Sequence, residues 1–316
     1  MSSSGIQLEV TITCLSIIAT AGYIWYRYKP KTMKTKSSDP YGLFHLALNK
    51  RPGELESAPK TEWLNMGYWR DTDIFPDACE ALTLKLLDAA RYKAGSKLAH
   101  YFSVLAYVGH GTGESLILLL THPSIPRPTH LTGITSIPLH HERSLERVKT
   151  ISSDVDTVVS LHLGDAVYKP GAKHHPLDPA SPLRFDTILA LDCAYHFVTR
   201  ESFLRQSFNR LEPGGRVALA DICFANSPPT SFKARKLMPR ENAISKNDYV
   251  RCLEDLGFED VVLEDISDGV FPGFVRLSKE RGLGWWVFAW VLNWYYRAGA
   301  RFVLVGGSRP RTFVES

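Results

Sequence analysis

The chain has 316 residues, enough for one large domain with accessory segments or for two domains. It carries 37 basic and 33 acidic residues, and a net charge of only +4 disfavours nucleic acid as a partner while remaining compatible with a weakly anionic membrane surface. Its five cysteines include no CxxC pair, so neither a disulfide framework nor a metal site is predicted.

The first feature along the chain is an uncharged apolar segment, residues 10–26, which is followed by five basic residues between positions 27 and 36. A span of about 17 apolar residues is near the minimum for crossing a bilayer, and flanking basic residues mark its cytosolic side. A cleaved signal peptide is the alternative, because Ala19-Thr20-Ala21 resembles a cleavage site. We expect a membrane anchor at residues 1–28 and a basic linker at residues 29–40, with the body facing the cytosol, for example at the endoplasmic reticulum.

Strands and helices are predicted to alternate along the rest of the chain. Strands are predicted over residues 104–108, 131–135, 155–164, 185–192, 216–224, 261–266 and 301–305. Helices are predicted over residues 41–50, 77–92 with Asp77 as cap, 116–120, 139–148, 200–211 and 247–256. This alternation predicts a parallel sheet with helices on both faces, whose ligands lie beyond the carboxyl ends of the strands.

The most informative stretch is the glycine turn GHGTG at residues 109–113, between an apolar strand and a helix. Glycines at alternate positions let the backbone approach a ligand closely, and the amides of a helix N-terminus face that ligand. The turn therefore indicates a nucleotide-type site. Glu114 stands where a dinucleotide fingerprint needs Gly or Ala, and the Gly-Lys-Ser/Thr of a P-loop is absent, so both of those sites are disfavoured.

Two later segments bear on metal binding and on hydrophobic partners. His174 and His175 are adjacent in a proline-rich loop, which gives poor geometry for chelation, so no metal is assigned to them. Residues 284–296, GWWVFAWVLNWYY, have an aromatic density typical of a membrane interface or an apolar substrate tunnel, with packing on the last strands as the alternative. We expect one face of this helix in the core and another at the bilayer or substrate entry.

Four motifs, in this order, resemble those of class I S-adenosylmethionine-dependent methyltransferases of small-molecule type. They are the GHGTG turn, TGIT at residues 132–135, GDA at residues 164–166, and FD at residues 185–186 with LEPGG at residues 211–215 downstream. TGIT resembles the branch that includes cyclopropane fatty acid synthases and sterol and tocopherol methyltransferases. The resemblance covers roughly residues 64–310. It implies an α/β fold, a Rossmann-like doubly wound, mostly parallel seven-stranded sheet, with S-adenosylmethionine as cofactor.

The apolar segment, the basic stretch and the resemblance together predict how the chain is divided. The boundaries are an anchor at 1–28, a linker at 29–40, and a methyltransferase domain at 41–316 made of cap helices (41–100), a cofactor-binding core (101–225), and a lid, the aromatic helix and the last strands (226–316). By position, the resemblance implies ten cofactor-binding residues: Tyr68, Gly109, Gly111, Gly113, Thr135, His140, Asp165, Ala166, Asp192 and Cys193.

These residues have distinct implied roles. The glycine turn would face the methionine part of the cofactor, and Thr135 and His140 the ribose. Asp165 would accept a hydrogen bond from the adenine amino group, beside the Ala166 amide, since an exocyclic amine is a donor. A helix cap is the alternative for Asp165.

The remaining implied contacts lie at the mouth of the pocket. Asp192 and Cys193 would line that mouth, and Tyr68 corresponds to an aromatic residue that closes over the cofactor in related enzymes. Tyr107 departs from the pattern, because the resemblance implies an acidic residue there. The departure keeps open a second hypothesis, a catalytically silent methyltransferase-like membrane adaptor or binding protein.

Catalysis is assigned to the segment after the fourth strand. His196 is the candidate general base because its ordinary pKa lies near neutrality, and Tyr195 is a candidate for orienting the acceptor. Structural packing is the alternative for both. Together with the anchor and the aromatic helix, these features predict methyl transfer to a hydrophobic small-molecule or lipid-like acceptor at a membrane.

Overall fold

The computed structural model describes residues 45–53, 58–92, 103–152, 156–227 and 238–311. The predicted anchor at residues 1–28 and the linker at residues 29–40 lie outside these ranges. Within them, no helix combines the length and apolar character needed to cross a membrane.

The described ranges contain seven strands and eight α-helices in an alternating order. The strands are β1 (Val104–Val108), β2 (His130–Thr135), β3 (Val158–Leu163), β4 (Phe185–Leu191), β5 (Leu211–Phe224), β6 (Glu259–Asp265) and β7 (Ala300–Ser308). The helices are α1 (His45–Leu48), α2 (Phe75–Ala89), α3 (Glu114–Thr121), α4 (Pro138–Ser152), α5 (Arg200–Arg210), α6 (Lys246–Asp255), α7 (Ser267–Lys279) and α8 (Leu283–Arg297). Short 3₁₀ turns occupy Ala194–His196 and Arg240–Asn242.

All seven strands form one sheet in the order β3-β2-β1-β4-β5-β7-β6. β1 to β5 are parallel, whereas β7 runs antiparallel between β5 and β6. The strand order reverses between β1 and β4, which is where open α/β sheets bind their ligands. The predicted mostly parallel, Rossmann-like seven-stranded sheet is confirmed.

The central strands β1 and β4 and most of β5 are buried on both faces, which explains why they are continuous apolar runs, whereas the edge strands β3 and β6 have no buried residue. In β1, Leu105 and Tyr107 join the hydrophobic cluster that includes α2, α3, α7 and α8. Ala106 and Val108 point to the opposite cluster, which includes α5 and α6. This follows from the two-residue alternation of a strand, and it produces a helix–sheet–helix sandwich.

Two helices differ from their predicted form. α2 begins at Phe75 with a proline in its first turn, so Asp77 is not its cap and instead pairs with Arg51. α7 was not predicted, because Pro272 and two glycines interrupt its helical pattern. A Cβ on Gly269 would overlap the Tyr68 ring, so this helix needs small residues where aromatic side chains pack on it.

Candidate functional site

A cavity of about 620 Å³ lies at the carboxyl ends of β1, β2 and β4. The glycine turn forms one wall, with left-handed φ angles of 76° at Gly109 and 56° at Gly111. A Cβ on Gly109 would lie 2.5 Å from Cys193 Sγ, and one on Gly111 would lie 2.5 Å from Leu64 Cδ1. Only glycine combines these backbone angles with such a close approach to Cys193 and Leu64, so the turn brings bare backbone to the cavity wall, and we call it the glycine cradle.

Nine of the twelve predicted site residues line this cavity. They are Gly109, Gly111, Thr135, His140, Asp165, Ala166, Asp192, Cys193 and His196. Because these residues follow four different strands, only the parallel arrangement of β1 to β4 brings them to one edge of the sheet. The sequence motifs therefore mark one site.

Gly113, Tyr68 and Tyr195 do not line the cavity. Gly113 precedes α3, and its missing Cβ makes room for Ser144 and Val148 of α4. The Tyr68 ring packs under α7, with the Lys85 ammonium 4.7 Å from its centroid. Tyr68 thus does not cover the cavity as expected, because the glycines of α7 leave a slot that its ring fills.

A strap formed by residues 62–66 covers the cavity where Tyr68 was expected to. The Thr112 hydroxyl donates to the Glu62 carbonyl oxygen at 2.8 Å, and the Glu62 N–H donates to Glu114 Oε2 at 2.7 Å. At the other end of the strap, the Met66 N–H donates to Asp192 Oδ2 at 2.8 Å. The strap therefore ties the glycine turn to the loop that follows β4.

Two arginines of α4 hold the strap in place. Arg143 binds the Glu62 carboxylate with two hydrogen bonds of 2.6 Å. Arg147 pairs with Glu114, lies 3.8 Å from Glu62, and donates to the Thr112 carbonyl oxygen at 3.1 Å. Such bidentate, charge-assisted contacts are the strongest class of side-chain hydrogen bond. The sequence signal for this network was the i, i+4 arginine pair on α4.

Asp192 has an unusual environment. Its φ is +53°, and its carboxylate accepts the Met66 N–H. Burial raises its pKa to about 7, more than offsetting the hydrogen bonds from Met66 and the Tyr195 hydroxyl, and the nearby Asp221 carboxylate adds to the rise. A carboxyl group poised near neutrality in a cavity wall is typical of functional sites.

Asp165 and His110 add two polar side chains to the cavity lining. Asp165 pairs with Lys169 at 2.6 Å and accepts the Val167 N–H at 3.2 Å, so it closes a turn and does not cap a helix. His110 also lines the cavity, a residue that the sequence motifs did not single out. Burial lowers its pKa to about 3, which keeps this ring neutral.

Tyr107 does not reach the cavity. Its side chain is 1 % exposed within the core behind the glycine turn. Burial raises the pKa of its hydroxyl, which faces Ser115. Tyr107 therefore neither blocks the site nor offers it a charge. Carboxylates reach the cavity wall from Glu62, Glu114 and Asp192 instead.

His196 lies in the 3₁₀ turn after β4, with its ring 4.1 Å from the Tyr195 ring. Asn242 fixes this turn from behind, because its amide donates to the carbonyl oxygens of Tyr195 at 3.1 Å and Phe197 at 2.7 Å. The Asn242 Oδ1 accepts the Arg200 N–H at 2.9 Å. The position of His196 at the mouth is thus set by buried polar contacts.

The described residues include no group of three or more His, Cys, Asp or Glu side chains arranged to hold a metal. Organic ligands are a better match: the volume falls in the range of small-molecule pockets. The lining combines apolar Ile134 and Leu163 with polar Thr135 and Asp165. With the glycine cradle, this mixture fits a nucleoside with a charged tail.

No protein-family model matches the chain. Among curated proteins it is similar to 27-O-demethylrifamycin SV methyltransferase of Amycolatopsis mediterranei, with 28% identity over 226 residues covering 69% of this chain and 75% of that protein. It is also similar to erythromycin 3''-O-methyltransferase of Saccharopolyspora erythraea, with 24% identity covering 78% of this chain and 75% of that protein.

Solved structures share the fold. Geranyl diphosphate C-methyltransferase from Streptomyces coelicolor aligns with a TM-score of 0.59 and 14% identity, covering 87% of this chain and 100% of that one. The [4+2]-cyclase SpnF aligns with a TM-score of 0.59 and 16% identity, covering 79% and 89%. The sheet, glycine cradle and cavity thus define a methyltransferase-type Rossmann fold. Together with the curated methyltransferases to which the chain is similar, these features support a class I S-adenosylmethionine-dependent methyltransferase of small-molecule type.

Proposed function

We propose that the protein transfers a methyl group from S-adenosylmethionine to a hydrophobic small-molecule or lipid-like acceptor at a membrane. The observation that carries the proposal is the convergence of nine motif residues on one cavity with a glycine cradle. Support for an apolar acceptor comes from the cavity mouth, where Phe197 and the 61 % exposed Val198 stand beside His196.

The proposed cofactor contacts follow the cavity wall. The backbone at Gly109 and Gly111 faces the methionine portion, Thr135 and His140 the ribose, and Asp165 the adenine amino group. Asp192 lines the same cavity as the glycine turn, and its neighbour Cys193 lies against Gly109. Its carboxylate form stabilises a positive charge bound there, which would in turn lower the pKa of Asp192.

The chain's own chemical task is to align the acceptor and to receive a proton. When bound, the cofactor supplies a methyl group made reactive by a positively charged sulfur. For a hydroxyl acceptor, the His196 imidazole would accept the hydroxyl proton that is displaced when the methyl group is added to the oxygen. Leu64 and Phe197 exclude water from the cavity walls, and Tyr195 supports the imidazole from one side.

Residues 10–26 form the proposed single-pass anchor, and the basic residues after them hold the body on the cytosolic side, for example of the endoplasmic reticulum. In this arrangement the acceptor is drawn from the bilayer. The proposal explains why an enzyme that acts on small molecules would carry an uncharged apolar segment ahead of its catalytic domain.

Calorimetry with S-adenosylmethionine and its demethylated product tests the cofactor site. We expect binding by the wild type and a loss of about tenfold or more in affinity for Asp165→Ala, since a buried donor on the ligand loses its partner. Mass spectrometry of a membrane-lipid extract after incubation would then reveal a product heavier by one methylene group. Binding without any methylated product would favour the silent adaptor, and no binding at all would refute the proposed site.

A further inference from the structure

Helix α8 presents two different faces. Ala289, Leu292 and Tyr295 are buried against the sheet. On the other side, Trp286, Trp290 and Trp294 are 49 %, 45 % and 52 % exposed. Their spacing of four residues places them in one row, which Leu283 extends at the start of the helix. We call this row of four side chains the tryptophan stripe.

Such a stripe is costly in water. Three half-exposed indoles and a leucine on one helix face form a contiguous apolar patch of the kind that marks an interaction surface. Tryptophan combines a large apolar ring with one N–H donor, which suits the boundary between hydrocarbon and headgroups better than a dry protein core. The composition of the stripe therefore favours a bilayer surface over a protein partner.

Charges at both ends of the stripe match such a surface. Lys279 and Arg281 are exposed just before α8, and Arg297 is exposed one turn beyond Trp294 on the same row. One exposed acid, Glu280, lies among them. Basic side chains that flank an apolar face place their charges at the headgroups and attract anionic lipids.

The length and position of α8 fix how it would lie. Its 15 residues span about 22 Å, which is too short to cross a bilayer, so the helix lies in the plane of the surface. β7 follows α8 at once, and its first residue, Ala300, pairs with Phe224 at the carboxyl end of β5. The C-terminal end of the stripe therefore shares the sheet edge on which the cavity opens.

We infer that the tryptophan stripe of α8 docks on the headgroup region of an anionic bilayer and turns the mouth of the cavity toward the lipid. This inference rests on the proposed membrane location and adds a second contact to the proposed anchor. An acceptor dissolved in the bilayer then reaches His196 without crossing water.

The test uses the full chain and vesicles of phosphatidylcholine with about 30 % phosphatidylserine, prepared with and without brominated lipid. Brominated lipid quenches tryptophan only at close range. We expect strong quenching in the wild type and a loss of at least about half of it in W286S/W290S/W294S, which retains the tryptophans outside the stripe. The matched control L145S/V158S removes exposed apolar residues from α4 and β3 and should keep wild-type quenching.

A second variant, R281E/R297E, reverses two charges without altering the apolar face, and quenching by anionic vesicles should fall in it as well. Equal quenching in the wild type and the triple tryptophan variant would overturn the inference. A second result would also overturn it: the wild type forms a dimer, only the tryptophan substitutions dissociate that dimer, and vesicles cause no quenching. The stripe would then bind a second copy of the chain.

Vesicle flotation separates this inference from the function on which it rests. If wild type and triple variant both float but are quenched equally, the membrane location stands and docking by α8 is refuted. If neither floats, the membrane location fails and docking fails with it. Calorimetric cofactor binding should be unchanged in the triple variant, which also shows that this variant is folded.

Discussion

Arg200 and Asp221 form an ion pair of 2.6 Å in which both side chains are inaccessible, at 2 % and 0 % exposure. Arg200 also donates to the carbonyl oxygens of Asn242 and Ile222, and the Tyr249 hydroxyl donates to Asp221 at 2.8 Å. These contacts join the start of α5 to the carboxyl-terminal part of β5. They form the base on which the turn carrying His196 rests.

Substitution Asp221→Asn should be strongly destabilising. It leaves the Arg200 guanidinium buried without a counter-charge, for which we expect a loss of about 3–5 kcal/mol in the free energy of unfolding. Denaturant unfolding measures this change. Glu201→Gln on the same helix removes an ion pair to Arg205 in which both side chains are about 60 % exposed, so its cost should stay below about 1 kcal/mol. Similar losses in the free energy of unfolding for the two variants would contradict a stabilising role of the buried Arg200–Asp221 pair.

Substitution Asn242→Ala should impair turnover more than cofactor binding. Without its amide, the carbonyl oxygens of Tyr195 and Phe197 lose their donors, and the turn that carries His196 is free to shift. We expect kcat to fall by about tenfold or more, since small misplacement of a catalytic group is costly. Calorimetric affinity for the cofactor should change little.

The neighbouring Glu241→Gln serves as the control, because that side chain is exposed. A purely structural role for Asn242 would lower the thermal midpoint without changing the pH profile of kcat. Positioning of His196 predicts that the profile shifts.

Asp192 should make the stability of the ligand-free protein depend on pH. Its pKa is about 7 in the folded state against an ordinary value of 3.8, so between these values the folded state holds a proton that the unfolded state has released. Stability therefore falls as the pH rises from about 4 to 7. Thermal unfolding over this range should show a flatter profile for Asp192→Asn.

Asp156→Asn is the matched control for that profile, since this carboxylate is exposed and lies outside the cavity. It should retain the wild-type slope. If Asp192→Asn also retains that slope, Asp192 does not carry the effect. Saturating cofactor should weaken the slope, because a bound positive charge favours the ionised carboxylate.

Release of the strap should weaken cofactor binding. Glu62→Gln removes the charge that Arg143 and Arg147 share, while the backbone contacts to Thr112 and Glu114 remain possible. We expect about a tenfold loss of affinity by calorimetry, in line with loss of a charge-assisted bidentate contact. Glu142→Gln, an exposed substitution on α4, should bind like the wild type. Unchanged affinity in Glu62→Gln would show that cofactor binding does not depend on the ion pairs of Glu62 with Arg143 and Arg147.

The centre of the sheet was predictable because β1, β4 and most of β5 are buried on both faces and are therefore nearly continuous apolar runs. The motif residues were predictable as a group because parallel strands deliver their carboxyl ends to one edge. β5 begins at Leu211, earlier than the predicted residue 216, since its first residue already pairs with Phe185 across a register shift. Local periodicity carries no information about such pairing.

The strap was not predictable, since Glu62 meets partners about 50 to 80 positions away and Met66 meets Asp192 126 positions away. For the same reason the expected role of Tyr68 failed. Its ring is drawn under α7 by Gly269, a contact about 200 residues distant. Resemblance located the segment, but packing decided which of its side chains faces the cavity.

The antiparallel direction of β7 has a practical consequence. The strand begins at the cavity edge with Ala300 opposite Phe224 and leaves the sheet with Ser308 opposite Arg216, at the amino ends of the parallel strands. Ser308 thus stands roughly 25–30 Å from Ala300, given the rise of an extended strand. Immobilisation from that side would leave the active edge, and α8 with it, free to meet vesicles in solution.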